Sequence, residues 1–215
     1  MGNELLVKLA DKSLTKDGLR QRVEQDFGLV PVLVEGTGSA KAAVRYGCAK
    51  VLMDLSAEYP ERLYPYMDLF IGLLDSKYRI LMWNALAIIA NLAKVDEEKK
   101  FDAVFDKYYS FLDNEYMVTV ANTVGNSGKI ALAKPYLIPR ITRELLAVED
   151  VSVTSHLTEE CKRVIAEKAI MTFDLFFDKL EEKEKKKVFG FVERQLGSSR
   201  RTLSSKAAGF LEKWR

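Results

Sequence analysis

The sequence predicts an all-α protein: an array of about five helical hairpins wound into a right-handed superhelix. Two observations support this fold class. A twelve-residue pattern of apolar positions at helical spacing occurs five times along the chain, and a proline-containing segment precedes three of the copies. No stretch shows the sustained alternation of apolar and polar residues that indicates strands. The copies follow one another at intervals of about 35 to 47 residues, which is typical of helical-hairpin repeats.

The pattern is clearest in residues 81–92, which contain neither glycine nor proline. Its positions 1, 5, 8, 9 and 12 are apolar, and in a helix they lie on one stripe that must be buried. The first positions of the five copies are Val44, Leu81, Tyr116, Leu157 and Leu203. We expect the fifth positions to be nearly fully buried, namely Cys48, Ala85, Val120, Cys161 and Ala207.

Prolines occur at matching places ahead of the pattern, in residues 29–33, 63–67 and 137–141. A proline in the first turn of a helix costs nothing because that N–H has no partner, whereas a proline farther in bends the helix. Each hairpin is therefore predicted to consist of a bent first helix and a straighter second helix. The second helix carries the twelve-residue pattern.

The remaining elements follow from the same periodicity. Residues 3–11 and 15–27 are predicted to form two helices that cap the array, with Thr15 as the N-cap of the second. The glycine-containing loop 35–39 precedes a helix over 40–58, for which Ser39 is the predicted cap. Further helices are expected over 60–74, 77–94, 97–112, 115–132, 135–148, 155–179, 182–196 and 199–214. We expect one domain over 1–215, with capping helices in 1–27 and repeats in 28–215.

These features resemble the HEAT-repeat and related armadillo-type α-solenoid proteins. The resemblance rests on Pro31, Pro65 and Pro139, on residues 44–55 with Arg45 at the second position, and on residues 89–94 and 124–129 at the ends of second helices. It implies that the second helices line a concave surface and that this surface holds another protein or a peptide. Fold alone does not fix function.

On the predicted second helices, positions 4, 7 and 11 of the pattern lie together beside the buried stripe. The candidate partner-binding residues on and beside this face are Lys50, Trp83, Asn84, Asn91, Asn122, Asn126 and Arg163. Asparagine is unfavourable inside helices, which leaves two interpretations open. Either the amides contact a partner and must be reachable from solvent, or they are buried and bond polar groups between repeats.

Charge is unevenly distributed along the chain. Residues 179–215 carry eleven Lys or Arg against five Asp or Glu, whereas the preceding residues are net acidic. A candidate basic patch for an anionic partner consists of Lys185, Lys186, Lys187, Arg200, Arg201 and Lys206. The alternative is a solvated helix face on which neighbouring charges compensate one another.

The residue patterns of common catalytic and metal sites are missing from the sequence. His156 is the single histidine, which argues against multi-histidine metal sites, and we interpret it as an ordinary surface residue. No Gly-x-Ser-x-Gly, Cys-x-x-Cys or dinucleotide fingerprint occurs, and both cysteines are interpreted as buried structural thiols. We therefore predict a protein that is not an enzyme and that uses no metal or other cofactor.

The favoured interpretation is a non-catalytic scaffold or adaptor that holds a partner protein or peptide on its concave second-helix surface. The alternative is a nucleic-acid-binding protein, such as a HEAT-like DNA glycosylase with a basic groove. That alternative is weakened by the acidic first 178 residues and by the predicted burial of Trp214, which leaves Trp83. No apolar run is long enough to span a membrane, no signal peptide is recognisable, and we expect a cytoplasmic location.

Overall fold

The computed structural model describes residues 2–215, with side chains described from Glu4 onward. Within this range the chain is helical and contains no strand, so the prediction of an all-α fold is confirmed. Contacts between Cα atoms divide the chain into two compact units, Met1–Ala103 and Val104–Arg215. The single array over residues 1–215 stays a prediction. None of the helices in the described range combines the length and apolar content needed to cross a bilayer.

The first unit contains helices α1 to α8. Their bounds are α1 Gly2–Ala10, α2 Lys16–Gln25, α3 Val30–Gly36, α4 Ala42–Glu58, α5 Pro60–Leu63, α6 Met67–Gly72, α7 Arg79–Leu92 and α8 Lys100–Ala103. Thr15 caps α2 as predicted, because its Oγ1 accepts a hydrogen bond from the Gly18 N–H at 3.0 Å. The predicted cap of α4 is wrong: α4 begins at Ala42, and Ser39 Oγ instead accepts from the Lys41 N–H in the preceding turn at 3.2 Å.

The second unit contains helices α9 to α14. Their bounds are α9 Phe105–Tyr109, α10 Met117–Ala133, α11 Ile138–Leu146, α12 Glu159–Phe173, α13 Glu182–Arg194 and α14 Arg201–Trp214. The acidic residues Glu181 and Glu184 form a capping box at the start of α13. Each satisfies a backbone N–H that would otherwise lack a partner at the helix start.

The predicted bent first helices are present. The segment before α7 consists of α5, a 3₁₀ turn at Tyr64–Tyr66 that contains Pro65, α6, and a second 3₁₀ turn at Leu73–Asp75. Pro139 lies in the first turn of α11, directly after the 3₁₀ turn Pro135–Leu137. The prolines therefore mark changes between helix types, as the missing N–H and the fixed φ of proline require.

The straighter second helices carry the buried stripe. All five pattern positions of α4 and all five of α7 are at most 2% exposed. Val120 and Ala207 are fully buried at the same pattern position in α10 and α14. Burying a valine, leucine or isoleucine side chain contributes about 1.5–3 kcal/mol relative to leaving it in water, so these stripes contribute strongly to the stability of each unit.

The predicted register is wrong in α12. Cys161 is only partly buried, because Thr158 caps the helix and accepts a hydrogen bond from the Cys161 N–H at 3.3 Å, which places Cys161 in the first turn. Lys168, at the twelfth predicted position, is exposed. The buried stripe has the same spacing but begins eight residues later, at Ile165, Ala169, Thr172, Phe173 and Phe176. The single helix predicted over 155–179 is also wrong, since α12 ends at Phe173.

Candidate partner-binding surface

Two of the four candidate asparagines are buried. Asn91 is 8% exposed, and its Nδ2 donates to Ser56 Oγ at 2.9 Å. Asn126 is 9% exposed, and its Nδ2 donates to the carbonyl oxygen of Asn122 at 3.0 Å. The first interpretation, in which all four amides are reachable from solvent, therefore does not hold for this pair. Asn91 follows the second interpretation, because its bond joins α7 to α4, whereas the bond of Asn126 stays within α10.

The other candidates of the first unit are more open. Lys50 is exposed on α4 and forms an ion pair with Asp54, with 2.6 Å between Nζ and Oδ1. Trp83 and Asn84 are partly exposed on α7. An exposed ion pair of this kind contributes little to stability. Lys50 can therefore leave Asp54 and pair with a carboxylate of a partner at little cost.

In the second unit, α12 packs between α10 and α14. The packing against α10 is close at two glycines, because a Cβ on Gly128 would lie 2.6 Å from Leu175 Cδ1 and one on Gly125 would lie 2.5 Å from Lys168 Cε. The Thr172 hydroxyl fixes the pair by donating to the Val124 carbonyl oxygen at 3.1 Å. The side chain of Lys168 therefore packs against Gly125 of α10, and that of Leu175 packs against Gly128.

Two adjoining cavities open along these three helices. The first, of about 400 Å³, is lined by side chains of α10 and α12, including Val118, Asn122, Lys168 and Met171, and by Arg200. The second, of about 430 Å³, is lined by α12 and α14, including Met171, Leu175, Lys206, Gly209 and Lys213. Met171 lines both. We call the residues lining these two cavities the α10–α12–α14 surface.

Three apolar side chains of this surface are exposed to solvent. Val118 is 40% exposed, Met171 42% and Leu175 52%. Adjoining apolar side chains that remain in water mark interaction sites more often than isolated ones do. Methionine suits such a site because its unbranched thioether chain adapts to differently shaped partners.

The two carboxylates of this surface are already bonded to the protein. Glu167 accepts from Arg200 Nε at 2.8 Å and from Thr202 Oγ1 at 2.6 Å. Asp174 accepts from Lys213 Nζ and from Trp214 Nε1, both at 2.7 Å. Burial acts to raise the pKa of each carboxyl, but these hydrogen bonds and cations hold both pKa values below their usual range. Both groups therefore stay ionised and paired near neutral pH.

Two further lysines of the surface lie outside these ion pairs, although Lys206 is close enough to help lower the pKa of both carboxyls. Lys168 and Lys206 are exposed, and neither forms an ion pair with any residue that the structure describes. Four cationic side chains and two carboxylates line the two cavities. The surface therefore carries excess positive charge, located on Lys168 and Lys206.

Solved structures similar to this chain are helical-repeat proteins. Designed armadillo repeat protein YIII(Dq)4CqI is 19% identical, with a TM-score of 0.62, over 98% of this chain and 90% of that one. Designed armadillo repeat protein YIII(Dq.V1)4CPAF in complex with peptide (KR)4 is 17% identical, with a TM-score of 0.68, over 99% and 92%. A computationally designed armadillo repeat protein for modular peptide recognition is 17% identical, with a TM-score of 0.59, over 98% and 90%.

The chain has an armadillo-type repeat fold. The resemblance deduced from the prolines and the twelve-residue pattern is thereby confirmed at the level of fold. No family model and no curated protein matches the sequence.

The armadillo-type fold separates residues that the sequence had grouped. Arg163 lies in the second turn of α12 and pairs with Glu160 at 3.1 Å. It lines a different cavity, of about 500 Å³, with Glu149 and Arg194. Of the predicted basic patch, Arg200 and Lys206 line the α10–α12–α14 surface, whereas Lys185, Lys186, Lys187 and Arg201 line neither of its cavities. Lys185 pairs with Glu182 at 3.0 Å, and Arg200 is held by Glu160 and Glu167.

Sequence reasoning missed the α12 residues of this surface. Lys168, Met171 and Leu175 occupy positions 4, 7 and 11 once the α12 pattern begins at Ile165. The signal was present, because the apolar residues from Ile165 to Phe177 form a longer stripe than those from Leu157 to Ile165. The same rule selects these three residues when it is applied from Ile165 instead of Leu157.

Proposed function

We propose that this armadillo-type chain is a non-catalytic scaffold or adaptor that holds a partner protein or peptide on its second helices. The observation that supports this proposal best is the α10–α12–α14 surface. There Val118, Met171 and Leu175 remain exposed around two adjoining cavities. Cavities of a few hundred Å³ lined by apolar groups and a few charged groups suit the side chains of a bound segment.

The similar structures support the same kind of partner. One of the designed armadillo repeat proteins is in complex with the peptide (KR)4, and another was designed for modular peptide recognition. We propose that the second helices of this chain likewise hold a peptide segment. Trp83, Asn84 and Lys50 remain candidates for further contacts in the first unit, and a cytoplasmic location remains part of the proposal.

The alternative partner is a nucleic acid, which the exposed lysines of α13 and of the α10–α12–α14 surface would attract. Single-stranded nucleic acids bind where aromatic side chains stack on bases along a basic groove. None of the exposed apolar side chains that line the α10–α12–α14 surface is aromatic, however, and Phe210 is 4% exposed. The predicted burial of Trp214 is wrong, because Trp214 is partly exposed, but its Nε1 donates to Asp174 and it does not line either cavity. These observations favour a peptide.

The test is a selection of peptides from a random display library on the full chain, followed by affinity measurements on two matched variants. Met171→Asp/Leu175→Asp alters the surface, and Leu132→Asp/Leu196→Asp alters two similarly exposed side chains outside its cavities. We expect the selected peptides to bind wild type and the control alike and to lose at least about tenfold in affinity on the first variant. Fluorescence anisotropy with single-stranded and duplex oligonucleotides is measured in parallel. The proposal is contradicted by tight oligonucleotide binding without peptide binding, or by selected peptides that bind both variants equally.

A further inference from the structure

We infer that the partner segment held by the α10–α12–α14 surface is an acidic peptide in which carboxylates are interspersed with apolar side chains. This inference rests on the proposed function and specifies the chemistry of the partner. It is drawn from the placement of the two unpaired lysines relative to the exposed apolar groups.

Each cavity combines apolar side chains with one ammonium group that forms no ion pair. Lys168 lies with Val118 and Met171 in the first cavity. Lys206 lies with Met171 and Leu175 in the second. A ligand that satisfies both cavities therefore needs a carboxylate and an apolar group for each, and the apolar groups meet at Met171. A segment with carboxylates interspersed among leucine-like side chains has this arrangement.

The charges already present disfavour the opposite partner. A basic segment would bring cations beside Lys168 and Lys206. The carboxylates that could receive those cations are already paired, Glu167 with Arg200 and Asp174 with Lys213. Like charges brought together at an interface cost affinity, whereas complementary charges speed association and fix the register. The surface thus differs in charge preference from a scaffold that accepts a lysine- and arginine-rich peptide.

Gly209 adds room beside Lys206. No atom lies within 4 Å of the position that a Cβ on Gly209 would occupy, and the residue is exposed in the middle of α14. Glycine at such a position weakens a helix, and nothing in the packing of the second unit requires it. The open position lets the backbone or a side chain of the bound segment approach α14 closely next to the Lys206 ammonium group.

The test uses the full chain and three fluorescein-labelled peptides of equal length. One alternates glutamate with leucine, one replaces every glutamate by glutamine, and one replaces every glutamate by lysine. We expect the acidic peptide to bind at least about tenfold more tightly than the glutamine peptide, and the lysine peptide to bind most weakly. The preference should shrink in about 1 M salt, where charges farther apart than about 3 Å are screened.

Two charge-reversal variants separate a local effect from a general one. Lys168→Glu/Lys206→Glu should lower the affinity for the acidic peptide by at least about tenfold and raise that for the lysine peptide. Lys186→Glu/Lys187→Glu changes the net charge by the same amount on exposed residues of α13. We expect this control to stay within about twofold of wild type, because screening limits distant charges. Thermal melts confirm that both variants are folded.

The outcomes distinguish this inference from the proposed function. Equal or tighter binding of the lysine peptide, abolished by Met171→Asp, would overturn the acidic preference and leave the peptide-binding function intact. Equal loss of acidic-peptide binding in the two charge-reversal variants would also overturn it, because the attraction would then be general. Failure of all three peptides to bind, together with a display selection that yields no peptide, would overturn both.

Discussion

Asn91 donates a hydrogen bond from Nδ2 to the Ser56 hydroxyl at 2.9 Å and so joins the last turns of α7 and α4. The second unit uses related bonds, from Thr172 Oγ1 to the Val124 carbonyl oxygen and from Trp214 Nε1 to Asp174. Neighbouring second helices within each unit are thus linked by polar bonds as well as by apolar packing. In the second unit these bonds join the helices whose side chains line the two cavities.

We predict that Asn91 and Ser56 are energetically coupled. Replacing either by alanine leaves a buried polar partner without this bond, so each single change should lower the free energy of unfolding by about 1–3 kcal/mol. The double mutant should lose less than the sum. Urea unfolding of wild type, the two single mutants and the double mutant measures the coupling. The control is Asn84→Ala, at a partly exposed position of α7, which should change the free energy of unfolding by at most about 0.5 kcal/mol. Strict additivity at positions 56 and 91 would contradict the assigned bond.

The buried stripe of α7 predicts a large effect at Ala85. Ala85 is fully buried, so Ala85→Arg forces a long charged side chain into the core. The variant should either be unfolded or lose several kcal/mol of the free energy of unfolding, on the order of the largest effects of single substitutions. Ala208→Arg introduces the same side chain at an exposed position of α14 and should be nearly neutral. The measurement is a thermal melt of both variants; matching melting temperatures would show that the register of α7 is wrong.

The two cysteines should differ in reactivity. Cys48 is fully buried, whereas Cys161 is partly exposed in the first turn of α12. Since a thiol must be accessible and deprotonated to react, a maleimide reagent should label Cys161 in the native protein and Cys48 only after unfolding. Mass spectrometry of the labelled peptides measures this, with Cys161→Ser as the control. Native labelling of Cys48 at the rate of Cys161 would contradict the burial of the α4 stripe.

Cys48 also predicts a pH dependence of stability. Burial raises the pKa of its thiol from the ordinary value of 9.0 to about 12. The folded state therefore favours the protonated thiol, and the stability that this group contributes is fully present below pH 9 and is lost as the pH rises from 9 towards 12. Urea unfolding across this range should show a steeper loss for wild type than for Cys48→Ala. An identical slope in the two proteins would show that the Cys48 thiol is not protected in the fold.

Replacing Gly209 by alanine should stabilise the protein and weaken peptide binding. Gly209→Ala meets open space and should raise the free energy of unfolding by about 0.5–1 kcal/mol through helix propensity. If the bound segment approaches α14 at this position, the added methyl group should weaken peptide binding while the protein becomes more stable. The comparison needs one melt and one titration per protein, with Ser205→Ala on the same helix as the control. A variant that is more stable and binds equally well would place the peptide elsewhere.

The sequence predicted the helices and most of their buried faces, because a stripe at helical spacing is a direct consequence of burial. It could not fix the register of α12, since the pattern nearly repeats when it is shifted along its own stripe. With Thr158 as its cap, α12 begins at Glu159, so the first position of the predicted copy, Leu157, lies outside the helix. Nor could it separate Asn84 from Asn91: their exposure depends on whether a neighbouring helix supplies a partner, as Ser56 does for Asn91.

The most direct test of the central claim is methyl NMR of the full chain labelled with ¹³C at its six methionines. Met171 and Met117 line the first cavity, whereas Met67 is fully buried in the first unit. On titration with a selected peptide, the Met171 and Met117 methyl signals should shift and the Met67 signal should not, with assignments from Met171→Leu and Met117→Leu. Saturated peptide binding that leaves the Met171 and Met117 signals unchanged would contradict the central claim.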